Sequence, residues 1–207
     1  YGWILNILSK LSTNGVAGFL LANWALSADG TELAIRKKLI ENDKIEAIII
    51  LPRNLFYSTD ISVTLWILNN NKKAHVVTKN GQEIHYRDRE NDILFMDLRQ
   101  MGVPFEKKYV ELDPDTRDKV TRTYHNWQQE GFEESYHNEP EYCYSATRGE
   151  IEQKGWSLVP SKYIEFRNRD EQIDFDAKMQ ELQKDMRVLL KQEDESKKEL
   201  EDRDRKS

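Results

Sequence analysis

Two apolar runs, residues 45–51 and 61–68, flank a short Pro-Arg-Asn-Leu-Phe-Tyr-Ser-Thr-Asp connection. Both read as strands, rich in β-branched and aromatic residues and bounded by turn formers. A crossover between parallel strands needs a dozen or more residues, usually a helix, so these two strands must pair antiparallel. Their connection presents two adjacent aromatics, Phe56 and Tyr57. Such a layout holds an aromatic face over a pocket.

The sequence ahead of this pair alternates helix and strand. Trp3, Ile4, Ile7, Leu8 and Leu11 lie at helical spacing, and Asn14-Gly15 reads as a helix-ending turn. The chain opens at Tyr1 inside that helical pattern without an initiator Met, which suggests the C-terminal part of something larger. Residues 16–21 are continuously apolar, the pattern of a strand covered on both faces, as in a parallel sheet. A helix is expected over 32–41, with Ile35, Leu39 and Ile40 inward and Arg36, Lys37 and Lys38 outward. Strand, helix and strand in series predict an α/β doubly wound sheet with right-handed crossovers. Asn69 to Lys73 then reads as an exit to solvent.

Farther on, residues 92–98 form one more expected strand, preceded by a small hairpin turning at Gly81. Asp113-Pro114 has the form of an N-cap followed by proline at the first helical position. The helix it starts would align Val120, Tyr124 and Trp127 on one stripe. Residues 131–140 are acidic and poor in aliphatics, an expected loop, and 145–154 a short helix ended by Gly155. Beyond Asp170 more than half the residues are charged, too many for an independent core. Even so, Phe175, Met179, Leu182, Met186 and Leu189 repeat at spacings of four and three, the seam of a helix that packs along one partner helix. Acid-to-base pairs four residues apart support it: Asp174 with Lys178, Glu193 with Lys197, Asp194 with Lys198 and Glu201 with Arg205. That seam could close on its own domain or on another chain. Three segments follow: 1–100, a sheet; 101–169, a mixed helical and loop extension; and 170–207, a charged helix.

Composition narrows the classes. A net charge of -6 argues against nucleic-acid binding by bulk electrostatics, which needs a cationic face to release counterions. No apolar stretch approaches the roughly 20 residues of a membrane helix. The single cysteine, Cys143, excludes an internal disulfide and a cysteine-rich metal site, and fits a reducing cytoplasm. The four histidines, His75, His85, His125 and His137, lack ligand spacing, and no Gly-rich phosphate loop, zinc-protease motif or nucleophile elbow is present.

Taken in order, the segments 15–26, 35–43, 45–56 and 59–69, then Thr123-Tyr124-His125-Asn126-Trp127, Cys143-Tyr144-Ser145-Ala146-Thr147 and residues 155–164, resemble the modification subunit of type I restriction-modification systems. That family comprises DNA adenine-N6 methyltransferases, so the resemblance implies the C-terminal half of a Rossmann-like sheet, parallel strands ending in an antiparallel pair, followed by a helical region. It implies S-adenosylmethionine as cofactor of the intact protein. The family's cofactor-binding strands and Asn-Pro-Pro-Phe/Tyr loop have no counterpart in the sequence, so the chain alone is expected to bind no cofactor and to be inactive. In related enzymes the aromatic at the turn between the last strands stacks on the flipped-out adenine, and Phe56 matches that position; Tyr57 is the neighbouring candidate. The plainer reading makes Phe56 a core aromatic closing the sheet.

Asn23, Arg53 and Asn54 fall at strand ends, where open α/β sheets bind ligands, and could reach a base edge or a phosphate. Asn23 follows Ala22, where many family members carry proline, and Trp24 beside it reads as packing. The implied partners are DNA, a specificity subunit, a second modification subunit and a restriction subunit, with Phe175, Met179, Leu182, Met186 and Leu189 as the subunit interface. The competing reading is a non-catalytic interaction module with a methyltransferase-like sheet.

Overall fold

A computed structural model describes residues 1–166 and 175–204, and the chain divides into two units, Tyr1–Phe166 and Arg167–Ser207. The first is built on a five-stranded sheet. Its strands are β1 (Val16–Ala22), β2 (Ile45–Ile50), β3 (Val63–Asn69), β6 (Asp92–Asp97) and β9 (Cys143–Thr147), in the order β1-β3-β2-β6-β9. The short link between β2 and β3 does produce an antiparallel pair, with Ile50 opposite Thr64 and Ile48 opposite Trp66. β3 also pairs antiparallel with β1, β2 parallel with β6, and β6 antiparallel with β9. β1, β2 and β6 therefore run the same way and end on one edge of the sheet.

Helices cover both faces. On one lie α1 (Gly2–Lys10), α2 (Thr31–Glu41) and α4 (Arg148–Gln153), whose Ile4, Leu39, Ile40 and Ile151 meet Ile48, Trp66, Leu68 and Phe95 of the sheet. On the other, α3 (Pro114–Gln128) lays Trp127, with Val120 and Tyr124 beside it, against Ala47, Ile49, Leu94 and Met96. The alternation along β2 explains the split: from Ala47 on, even positions (Ile48, Ile50) face α2 and odd ones (Ala47, Ile49) α3, while a register shift at the strand's start puts Ile45 on the α2 side, and all six residues are buried. α3 begins where the sequence signals it, with the Asp113 carboxylate accepting from Thr116 N at 2.7 Å and proline in the first turn.

Four expectations need correction. β1 is not covered on both faces: its residues alternate exposed and half-buried, because it lies on the sheet's edge and, among the described residues, pairs only with β3. Arg36 is buried rather than outward, its guanidinium donating to Trp156 O and Ala28 O, both at 2.8 Å. Lys72 does not run to solvent either; its ammonium is buried and donates to Asp43 at 2.6 Å and to the carbonyls of Ile45 and Asp92 at 3.0 and 2.6 Å. The expected helix over 145–154 begins as the edge strand β9 and becomes helical only from Arg148, under a capping box between Thr147 and Glu150.

Two hairpins project from this frame. β4 (His75–Lys79) and β5 (Gln82–Tyr86) turn through Asn80-Gly81, both at positive φ, as the Gly81 signal implies. The smaller pair, β7 (Val103–Phe105) and β8 (Tyr109–Glu111), follows β6. The second unit contains α5 (Phe175–Asp204), on which Phe175, Met179, Leu182, Met186 and Leu189 are all exposed. Of the four expected pairs along it, Lys197 meets Glu193 at 2.5 Å; the other three involve residues or side chains outside those described. Among the described residues no helix is long and apolar enough to cross a membrane.

Candidate functional site

The shared edge where β1, β2 and β6 end carries a cleft of about 500 Å³. β1 contributes Asn23, β2 runs into Pro52, Arg53 and Asn54, and the segment after β6 adds Arg99, Gln100 and Met101, with Ser62 and Val110 completing the wall. Carboxyl ends of parallel strands are where open α/β sheets bind ligands, because adjacent strand ends diverge into loops there. The three polar candidates from the sequence, Asn23, Arg53 and Asn54, are thus brought together.

Each wall is fixed locally. Asn54 adopts a left-handed conformation at φ 58°, which asparagine tolerates, and this turns the chain sharply after Pro52. Its carbonyl accepts from Val110 N at 3.0 Å, which ties the β2–β3 loop to the small hairpin. The Ser62 hydroxyl donates to Leu51 O at 2.5 Å across the loop's neck. Thr64 donates its hydroxyl to the Asn23 side-chain oxygen at 2.5 Å, so the Asn23 amide nitrogen is directed away from that bond. Trp24 next to it is two-thirds exposed, not packed as its sequence position suggested.

Arg99 is a cleft residue that strand-end reasoning on the sequence did not reach. It forms a two-pronged pair with the buried Asp97, Nε to Oδ1 at 3.0 Å and Nη2 to Oδ2 at 2.6 Å. That hydrogen-bonded carboxylate raises the guanidinium's pKa above its ordinary value. The signal was available: Asp97-Leu98-Arg99 closes a strand parallel to β2, so its end had to lie beside Pro52-Arg53-Asn54.

The aromatic pair divides its roles. Phe56 is half-buried and packs against the α3-side core, with its carbonyl accepting from Thr59 N at 3.4 Å. Tyr57 is 71% exposed and meets the Tyr109 ring edge-on, with centroids 4.6 Å apart. Neither lines the cleft itself; they stand on the loop that forms one of its walls.

The donor set does not fit S-adenosylmethionine. Its lining residues include no carboxylate that could bridge ribose hydroxyls, and Asp97, the buried partner of the cleft's Arg99, is committed to that pair. Gly102 offers no cradle, since a Cβ there would already meet Glu111 O and Val110 Cγ1 at 2.8 Å. Among the described residues no group of histidines, cysteines or carboxylates is placed to hold a metal.

Comparison with known proteins gives a consistent result. The sequence model described as "N-6 DNA Methylase" matches residues 1–172. The chain is 30% identical over 194 residues to the type I restriction enzyme MjaIX methylase subunit of Methanocaldococcus jannaschii, covering 94% of this chain and 32% of that protein. It is 32% identical over 184 residues to the HindI methylase subunit of Haemophilus influenzae, covering 88% and 38%. The chain therefore spans about a third of the length of the curated relatives it matches. Among solved structures, a type I restriction-modification methyltransferase subunit from Streptococcus thermophilus superposes with a TM-score of 0.64 at 22% identity, over 79% of this chain and 30% of that one. The EcoKI M protein superposes at 0.57 and 13% identity, over 81% and 38%, and at these identities the likeness is one of fold.

Proposed function

The chain belongs to the N-6 DNA methylase family, and we propose that it forms the adenine-pocket half of a DNA adenine-N6 methyltransferase subunit of a type I restriction-modification system. In the intact protein S-adenosylmethionine supplies the methyl group. This chain's contribution is a wall for the extruded base. Phe56 stacks on the base, Tyr57 borders it, and Asn23, Arg53 and Asn54 face its edge or the flanking strand.

The observation that carries this reading is the position of Phe56: half-buried, on a loop that also supplies Arg53 and Asn54 to the carboxyl-edge cleft. Half-burial is what a stacking ring requires, since one side must be held rigid and the other left for the base. An extruded base loses its stacking neighbours, and an aromatic ring restores about 1–3 kcal/mol. Two further features support a chain that works within a larger body. Among the described residues no strand pairs with the outer edge of β1, a template on which another strand pairs. α5 exposes an apolar stripe, Phe175, Met179, Leu182, Met186 and Leu189, which we assign to a specificity subunit, with a second modification subunit and a restriction subunit completing the assembly. DNA is the substrate, and the cytoplasm the compartment.

The test is Phe56→Ala in the intact methylase subunit assembled with its partners. Methyl transfer from labelled cofactor to DNA should fall by about tenfold to a hundredfold, the equivalent of one missing stacking partner, while the melting temperature shifts little. Full transfer by the variant would refute the stacking role. A second reading, an interaction module without chemistry, would be favoured by an intact subunit that assembles yet transfers nothing.

A further inference from the structure

The small β7–β8 hairpin is not accounted for by base stacking, yet it is built into the same site. Val110 N bonds Asn54 O at 3.0 Å, and Val110 lines the cleft with Arg53 and Arg99. Its base is locked by Gly102 at φ +109°, where any side chain would strike Glu111 O. Its far end carries Glu106-Lys107-Lys108, all exposed. The Lys108 ammonium lies over the Tyr109 ring at 5.1 Å, and Tyr109 in turn meets Tyr57 at 4.6 Å. Tyr57, Tyr109 and Lys108 thus form a continuous row from the loop that bears Phe56 to a cationic tip, with Arg53 exposed on the same loop.

We propose that the β7–β8 hairpin is a contact for the phosphate backbone of a nucleic-acid strand running past an extruded base, with Lys107 and Lys108 on the phosphates and the Tyr57–Tyr109 row alongside the sugar and base faces. This deepens the reading of Phe56 and rests on it. Aromatic faces beside cations are how proteins follow a strand without reading its sequence. The row also reconciles a net charge of -6 with DNA: the contact is local, and Glu106 in the same turn offsets only one of the tip's two lysines. An acidic peptide would satisfy the lysines but leave the tyrosine row without a planar partner.

The test uses the 207-residue chain and a fluorescein-labelled single strand of about 12 nucleotides, within the footprint of one small binding module, titrated by anisotropy from low to roughly physiological salt. The double substitution Lys107→Ala with Lys108→Ala should weaken binding about tenfold at low salt. It should also flatten the slope of log K against log salt by about 1.4, near 0.7 for each phosphate no longer neutralised. Lys10→Ala with Lys38→Ala, an equal change of charge elsewhere, should leave the slope unaltered. Phe56→Ala should lower affinity without changing the slope. An unchanged slope in the hairpin variant, an equal weakening in the control pair, or displacement by polyglutamate as effective as by unlabelled DNA would each overturn the proposal. A hairpin effect without any Phe56 effect would keep the phosphate contact and remove the stacking reading instead.

Discussion

Two polar clusters lie at opposite ends of the same sheet, and they use the same residue types to different ends. At the end where β2 starts, Glu46 and Arg89 are paired at 3.3 Å with both side chains fully excluded from solvent. Gln128 donates to Glu46 at 2.7 Å, Asn69 donates to its other oxygen, and Arg89 also reaches Arg87 O and Gln128 O. At the end where β2 stops, Arg53, Asn54 and Asn23 line an open cleft. Among the described residues, the Arg53 guanidinium makes only a long bond to Asp60 O, at 3.4 Å. The first cluster is closed to solvent and joins β2, the end of α3 and the segment after β5, although Arg89 Nε and Nη2 are left without a hydrogen-bond partner among the described residues; the second is open to solvent and can still take a partner.

The largest effect should come from breaking the closed cluster. Glu46→Ala leaves the Arg89 charge buried without its carboxylate, and losing one partner of a buried pair costs about 3–5 kcal/mol. Denaturant titration of the chain should show that destabilisation, while single-strand affinity stays as it was. A stable variant with weakened affinity would reverse the assignment of the two clusters. Phe56→Ala should behave oppositely, losing about 1–3 kcal/mol of binding with little change in stability. Arg99 stands between the two classes, in the cleft yet paired to Asp97. Its own side chain is 41% exposed, but its removal leaves the buried Asp97 carboxylate without its partner, so Arg99→Ala should cost about 1–3 kcal/mol of stability. A matching drop in salt slope would place it with Arg53, and a drop in stability alone would place it with Glu46.

The same contrast shows what the sequence could convey. The β2–β3 pair and the capped α3 were legible because short-range chemistry dictates them: a link too short to cross over, and an Asp-Pro start. The family likeness was legible for the same reason, as an order of motifs along the chain. Arg36 and Lys72 were not, because burial of a cation depends on carbonyls and carboxylates far away in sequence, such as Trp156 O and Asp43. β1 misled because a continuous apolar run reports what a strand is suited to, and here, among the described residues, only one neighbour is hydrogen-bonded to it. Strand-end reasoning put Asn23, Arg53 and Asn54 at one edge of the sheet, where they line the cleft, and the position of Arg99 beside them would have followed had the parallel pairing of β6 with β2 been inferred first.

The smallest effect concerns the helix that covers the cleft-bearing sheet. Asp113 caps α3, and its hydrogen bonds from Thr116 hold the carboxyl below the ordinary carboxylate pKa. A carboxyl whose pKa is depressed on folding binds fewer protons in the native state than in the unfolded one, so its stabilisation is complete above the unfolded value near 3.8 and fades as pH falls through the lower folded value. Asp113→Ala should therefore lower the melting temperature slightly at neutral pH and by progressively less in acid, the two curves converging below about pH 4. This half-buried cap belongs to neither cluster, and removing it should leave strand affinity and its salt slope untouched. If the variant instead weakened DNA binding, α3 would have to be counted as part of the open cleft's machinery, and the separation between the two ends of the sheet would no longer hold.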